Sequence, residues 1–372
     1  LSTVPCGAAL AHSHPTVLGY LKYRIASTKG STVRARGISY DTGFLRNGRF
    51  SRADPDPEVI GRELRIIRDD LHCNAVRVMG GDPDRLDLAA RLAADLGLEV
   101  WYSPYPLDLD ADEILALFAE CAERAERLRR GGADVVFVAG AELSLMNPGF
   151  LAGDTLEQRL DALLRHRDRL PAVIAEVTPR INAFLGRAAA VVRERFGGPI
   201  TYAAVPLERV DWSPFDIVSV DLYRSAEVAD AFADGVRTLV SQGKPVAITE
   251  FGCATFAGAP DRGATGLDIV VNDENTDVPS HLDGEYVRDE AGQARYVREL
   301  LEIFDAEGVD ATFVFTFALH DFPHRPGDSR RDLDLASYGV VRVLENGSGT
   351  TYPGLPWEPK TVFATIADTY DI

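Results

Sequence analysis

The chain has 372 residues, of which 46% are hydrophobic and 26% charged, ample apolar material for a large core. Its 39 basic and 57 acidic residues leave a net charge of −18. A field of that sign repels phosphate backbones and anionic lipid, which argues against nucleic acid or membrane partners, and no apolar run approaches the ~20 residues that span a bilayer.

The first 34 residues lack a basic start followed by a clean apolar stretch, so they do not read as a secretory signal. They are expected to form an N-terminal arm, with His12 and His14 incidental to function. From residue 35 a rhythm begins. ARGISY reads as a strand and DPEVIGRELRIIRDDL as a helix with apolar positions three and four apart. NAVRVMG is the second strand, DRLDLAARLAADLG its helix, and LEVWYSP the third strand. The next helix opens on the acids of DADEIL and closes on Arg129, Arg130 and Gly131, which are start and stop signals. ADVVFVAG is the fourth strand; an insertion over about residues 147–175 precedes the helix EVTPRINAFLGRAAAVVRERFGG. ITYAAV follows as strand five, with only a short helical stretch near LERVDW. DIVSVDLY is strand six, EVADAFADGVRTLVSQG its helix, and PVAITEFG strand seven. A second insertion, about residues 254–289, leads to the helix AGQARYVRELLEIFDAEG, the eighth strand DATFVFTFAL and the closing helix PKTVFATIADTY.

Eight nearly continuous apolar strands alternating with helices predict a parallel sheet buried on both faces. The count of eight points to a closed (β/α)8 TIM barrel over residues 35–372, a single domain with loop insertions. No GxGxxG motif follows strand one and no P-loop occurs, so no nucleotide cofactor is expected. Nor is a metal, since no HExxH motif appears.

In such barrels the active site lies at the C-terminal ends of the strands, and here those ends are polar. They carry Asp41 after strand one, Arg77 on two, Trp101, Tyr102 and Tyr105 on three, Glu142 on four, Asp221 and Tyr223 on six, Glu250 on seven, and His320 after eight. Glu142 and Glu250 are expected to face each other across the mouth. Paired carboxyl groups suit glycosidic cleavage, where one protonates the leaving oxygen while the other attacks or stabilises the anomeric carbon. Arg77 would hold one glutamate ionised, and a drier setting would raise the other. The remaining mouth residues would contact substrate, with Trp101 and the tyrosines offering flat faces to sugar rings. A small-molecule or carbohydrate-like substrate follows; a protein partner is left open. A separation of about 5–5.5 Å between the carboxyl groups would imply retention, and ~6.5–9.5 Å inversion.

This arrangement resembles the clan of retaining glycoside hydrolases with a (β/α)8 fold, in which the strand-four Glu is the acid/base and the strand-seven Glu the nucleophile. The resemblance spans about residues 35–371 and implies those roles for Glu142 and Glu250, with Arg77 and Tyr223 supporting the nucleophile. It departs at Ala141, where the clan carries Asn, and at the end of strand eight, where Phe317 stands in a run in which the clan carries Trp. Ordinary glucosides and galactosides are therefore expected to be poor substrates. More narrowly, GISYDTGF, DDLHCNAVRV, ITEFGC and RRDLDLASYGVV resemble actinobacterial proteins labelled "abortive infection protein". Two further functional readings stand beside the glycosidase. One is a bacterial defence or secondary-metabolism enzyme that uses the same carboxylates for cyclisation or displacement; the other is a non-catalytic binding module.

Cys6, Cys73, Cys121 and Cys253 form no CxxC pair and read as free thiols of a cytoplasmic protein. His72 and Cys73 read as packing residues. GVVRVLENGSGTTYP predicts a hairpin turning at Asn346-Gly347. Asp332 and Asp334 are expected to cap a turn or to pair with arginines, here Arg330 and Arg331.

Overall fold

The computed structural model describes residues 33–46, 48–53, 56–164, 170–273, 276 and 278–371. The expected arm, residues 1–34, lies outside the described residues except for Val33 and Arg34. Eight parallel strands form one sheet: β1 (Ala35–Asp41), β2 (Ala75–Gly80), β3 (Glu99–Pro104), β4 (Val135–Ala141), β5 (Ile200–Ala203), β6 (Val218–Asp221), β7 (Val246–Phe251) and β8 (Ala311–Val314). β1 pairs with both β2 and β8. The ring closes between β5 and β6 through an Ala204–Val220 bridge and a 2.9 Å bond from the Asp221 amide to the Ala204 carbonyl. The (β/α)8 barrel expected from the strand count is therefore the observed fold.

Helices α1 (Pro57–Asp69), α2 (Pro83–Asp95), α3 (Ala111–Arg130), α4 (Leu170–Arg193), α5 (Phe232–Val240), α6 (Glu290–Glu307) and α7 (Thr361–Tyr370) occur in the loops between strands and after β8. Their starts follow the local chemistry. Asp56 and Asp82 cap α1 and α2 just before Pro57 and Pro83, whose missing amides cost nothing in a first turn. Asp110 and Glu113 form a reciprocal capping box on α3. After β5 there is only a single 3₁₀ turn, Pro206–Glu208.

Several boundaries differ from expectation. α4 begins at Leu170 and carries Pro179 within it, and Leu156–Leu164 adds a helix inside the first insertion. β8 is four residues long, and the Phe315–Thr316 peptide after it is cis. A hairpin ladder does form at Val341–Val343, but its partner is Trp357–Pro359, so the connection is longer than an Asn-Gly turn. Asp332 and Asp334 pair with Arg288, joined by His324 and Lys360, not with Arg330 and Arg331.

The barrel interior is packed from the bottom upward. The Trp101 ring lies 4.7 Å from that of Phe313, and its indole N–H donates to Glu99 at 2.8 Å. Gly37 admits this layer, because a Cβ there would meet the Phe313 ring at 2.5 Å. Higher up, Thr201 and Ser219 share a 2.6 Å hydrogen bond between strands β5 and β6.

Candidate active site

Alternation along each strand decides which side chains enter the barrel. On β2 the inward series brings Arg77 to the centre, where its side chain is wholly buried. Its Nε donates to Ser103 Oγ at 3.2 Å, and its Nη1 donates to the Thr249 carbonyl and to Glu250 Oε1, both at 3.0 Å. Asp221 Oδ1 lies 3.8 Å from the same Nη1. Glu250 reaches this cation because the β6–β7 register slips between Val220 and Asp221, pairing Asp221 with Glu250. From the other side the Tyr223 hydroxyl donates to Glu250 Oε2 at 3.2 Å. Both oxygens of Glu250 are thus held.

Glu142 arrives by a different device. β4 slips register between Val138 and Ala141, with Gly140 at φ +84°. Glu142 then takes the left-handed conformation, φ 48° and ψ 36°, which costs a side-chain-bearing residue ~1–2 kcal/mol. Surrounding bonds impose it. The Glu142 amide donates to the Ala203 carbonyl at 2.9 Å, the Leu143 amide to Tyr202 Oη at 2.8 Å, and the Ser144 amide to Glu208 Oε1 at 3.1 Å. The Tyr202 hydroxyl in turn donates to Glu208 at 2.8 Å. Strain held this firmly is characteristic of functional sites. The Glu142 side chain makes no hydrogen bond or ion pair among the described residues, and the residue is partly exposed.

The electrostatics separate the two glutamates. Burial, then the neighbouring Asp221 carboxylate, push Glu250 up to about 8, opposed by Arg77 and Tyr223. Burial, then Asp221, Glu250 and Glu208, push Glu142 well above the usual carboxylate range, with only Arg77 opposing. Arg77 and Tyr223 bond directly to Glu250, and no such donor reaches Glu142 among the described residues, so the contacts favour the ionised form at Glu250. Burial raises Asp221 to about 6 against Arg77 and Thr249. Tyr105, buried, faces the same groups; burial, then Glu250, Glu142 and Asp221, raise its phenol well above the usual range.

Six expected site residues are thereby brought together: Arg77, Tyr105, Glu142, Asp221, Tyr223 and Glu250. The side chains of Asp221 and Arg77 are both fully buried. Asp41, at the end of β1, and His320, after β8, are each near Arg52. Asp41 accepts from the Gly43 amide at 2.6 Å and from Ser51 Oγ at 3.1 Å, and burial lifts it to about 6. Burial, then Arg52, hold His320 well below the usual histidine range, so it is neutral.

Two expectations fail. Trp101 faces inward at the bottom of the barrel, against Phe313 and Glu99. Tyr102 faces outward, stacked on Phe137, and the charges nearest its phenol belong to α2 and α3. Neighbouring strand residues point to opposite faces, and neither of these reaches the mouth. Phe317 packs edge-on against Trp357, buried; the partly exposed aromatic after β8 is Phe315, beside Tyr338, which stands edge-on to Tyr223. Sequence reasoning missed Tyr202 and Glu208, which shape the Glu142 turn. The only local signal was an acid in a short turn after strand five. Among the described residues no group of His, Cys, Asp or Glu could hold a metal.

No protein-family model matches the chain, and no curated protein matches it. Solved structures do. A GH113 beta-1,4-mannanase is 16% identical with a TM-score of 0.57, covering 91% of this chain and 99% of its own. The beta-glycosidase BGL167 is 10% identical with a TM-score of 0.53, over 92% and 97%. Thermotoga maritima Cel5A, solved with mannotriose, is 13% identical with a TM-score of 0.51, over 82% and 98%. At these identities the likeness is one of fold.

Proposed function

We propose that the chain is a retaining glycosidase-type enzyme that cleaves or transfers a glycosyl group, with Glu250 as nucleophile and Glu142 as acid/base. The observation that carries this reading is the asymmetry of the pair. Glu250 is oriented through both oxygens by Arg77 and Tyr223, whereas Glu142 is strained, unpartnered and open to the mouth. In the first step a Glu250 oxygen attacks the anomeric carbon, the glycosidic C–O bond breaks, and Glu142 gives its proton to the leaving oxygen. In the second, water or an acceptor hydroxyl attacks the glycosyl-enzyme, Glu142 takes its proton, and Glu250 leaves. Productive protonation, Glu250 ionised and Glu142 neutral, is populated between their two ionisations. The partly exposed Tyr223 and Phe315 offer the apolar faces against which a sugar ring would rest. The three described cysteines are buried free thiols, which supports a reducing, cytoplasmic setting.

The test is a panel of aryl glycosides and β-1,4-linked manno-oligosaccharides, with 2-fluoro glycosides as traps. A covalent glycosyl adduct on Glu250, found by mass spectrometry, is expected, together with product of retained anomeric configuration. Inverted product, or an adduct elsewhere, would overturn the assignment. Silence across the panel would direct attention to non-hydrolytic chemistry of bacterial defence or secondary metabolism on the same carboxylates.

A further inference from the structure

Asp221 is the residue of the site that this chemistry does not use. It and Glu250 are direct neighbours across two parallel strands, and like charges placed so are unfavourable. Asp221 is 3% exposed, and although the Thr249 hydroxyl is near, neither carboxylate oxygen nor that hydroxyl makes a hydrogen bond of ordinary geometry among the described residues. Buried polar groups left so are uncommon and call for a reason. Among the described residues the only cation near it is Arg77, already engaged by Glu250 through the same Nη1. Three carboxyl groups, Glu142, Glu250 and Asp221, thus face one guanidinium.

We propose that Asp221 is a positioning residue of this site: it competes with Glu250 for the single guanidinium and thereby sets the pH at which the nucleophile becomes available. This rests on the glycosidase reading for its catalytic meaning. The groups facing Asp221 are Arg77 from β2, Thr249 and Glu250 from β7, Glu142 after β4, Tyr105 after β3 and Tyr223 after β6. Arg77 is the sole charge among them that favours an ionised Asp221. Glu250 and Asp221 contact one nitrogen, so their oxygens are at most ~7 Å apart, close enough in a dry interior for each charge to hinder the other's ionisation substantially. The raised value of Glu250, with Asp221 its second largest cause, agrees with this geometry.

Asp221→Asn removes the charge and keeps the shape; Asp221→Ser removes it with a smaller side chain. Carboxyl ionisation is followed by infrared difference titration of the full chain, with Glu250→Gln used to assign the Glu250 band. Wherever wild type turns over a glycoside, the pH dependence of kcat/KM is followed as well. In both variants the Glu250 titration and the acidic limb should move down by about one to two pH units. A folded variant of either kind whose Glu250 band titrates as in wild type overturns the proposal. A wild-type chain that turns over no glycoside defeats the glycosidase reading, and the infrared titration then decides this one by itself.

Discussion

Replacing Arg77 by Met tests the site's central contact, because Met keeps much of the length and apolar volume while removing the charge. The guanidinium stands 3.0 Å from Glu250 and 3.8 Å from Asp221, with no side-chain exposure. At an effective dielectric of 20, unit charges 3.0 Å apart attract by ~5 kcal/mol. Breaking a buried pair from one side costs about 3–5 kcal/mol, because the other charge stays behind unpaired. That figure should apply only where the carboxyl groups are ionised. Both have folded-state values above their ordinary ones, Asp221 at about 6 and Glu250 at about 8. Without Arg77 both rise further, so the folded state binds more protons than the unfolded one and stability falls more steeply as pH rises. Urea unfolding should therefore show a loss of about 3–5 kcal/mol near pH 9 that shrinks to ~1 kcal/mol or less near pH 5. Glycoside turnover should be lost across that range, since Glu250 is no longer oriented. An equal stability loss at both pH values would refute the reasoning, as it would mean that Arg77 matters for packing and not as the counter-charge.

Glu142→Gln should abolish turnover yet raise the melting temperature near pH 9, because it replaces a carboxyl whose ionisation the fold disfavours; a fall in stability would show that the charge is welcome there. For wild type, Asp41 at about 6, Asp321 and Glu208 at about 7, and Glu250 at about 8 all lie above their ordinary values. Their contribution is fully present below the unfolded values and is lost as pH rises through the folded ones, while neutral His320 opposes them only below the ordinary histidine value of ~6.5, so urea unfolding should show stability declining from about pH 6.5 to pH 8; a rise over that window would contradict the assignment. Trp101→Phe should lower stability by ~1–3 kcal/mol and leave KM untouched, because the indole lies at the barrel's foot; a KM change without a stability change would return Trp101 to the mouth.

The residue order alone carried the barrel. Each strand is a short apolar run bounded by caps and turns, each major helix has its own 3.6-residue rhythm, and these are local properties of the chain. It also marked Glu142, Glu250 and Arg77, because a charged residue inside or ending an apolar strand stands out without any knowledge of its neighbours. It could not say which way Trp101 and Tyr102 point. A strand buried on both faces has no polar alternation to set its phase, so only pairing with β2 and β4 turned Trp101 inward and Tyr102 outward. The register slips that deliver Glu142 and Glu250 are likewise relations between strands. Arg288 meets Asp332 and Asp334 from more than forty positions away in the chain, displacing the adjacent arginines that sequence proximity favoured. Asp221 is the clearest instance. Read along the chain it is one more acid at a strand end; its burial, and its share in Arg77, exist only once β2, β6 and β7 stand in one closed barrel, because charge competition depends on distance in space and not on distance along the chain.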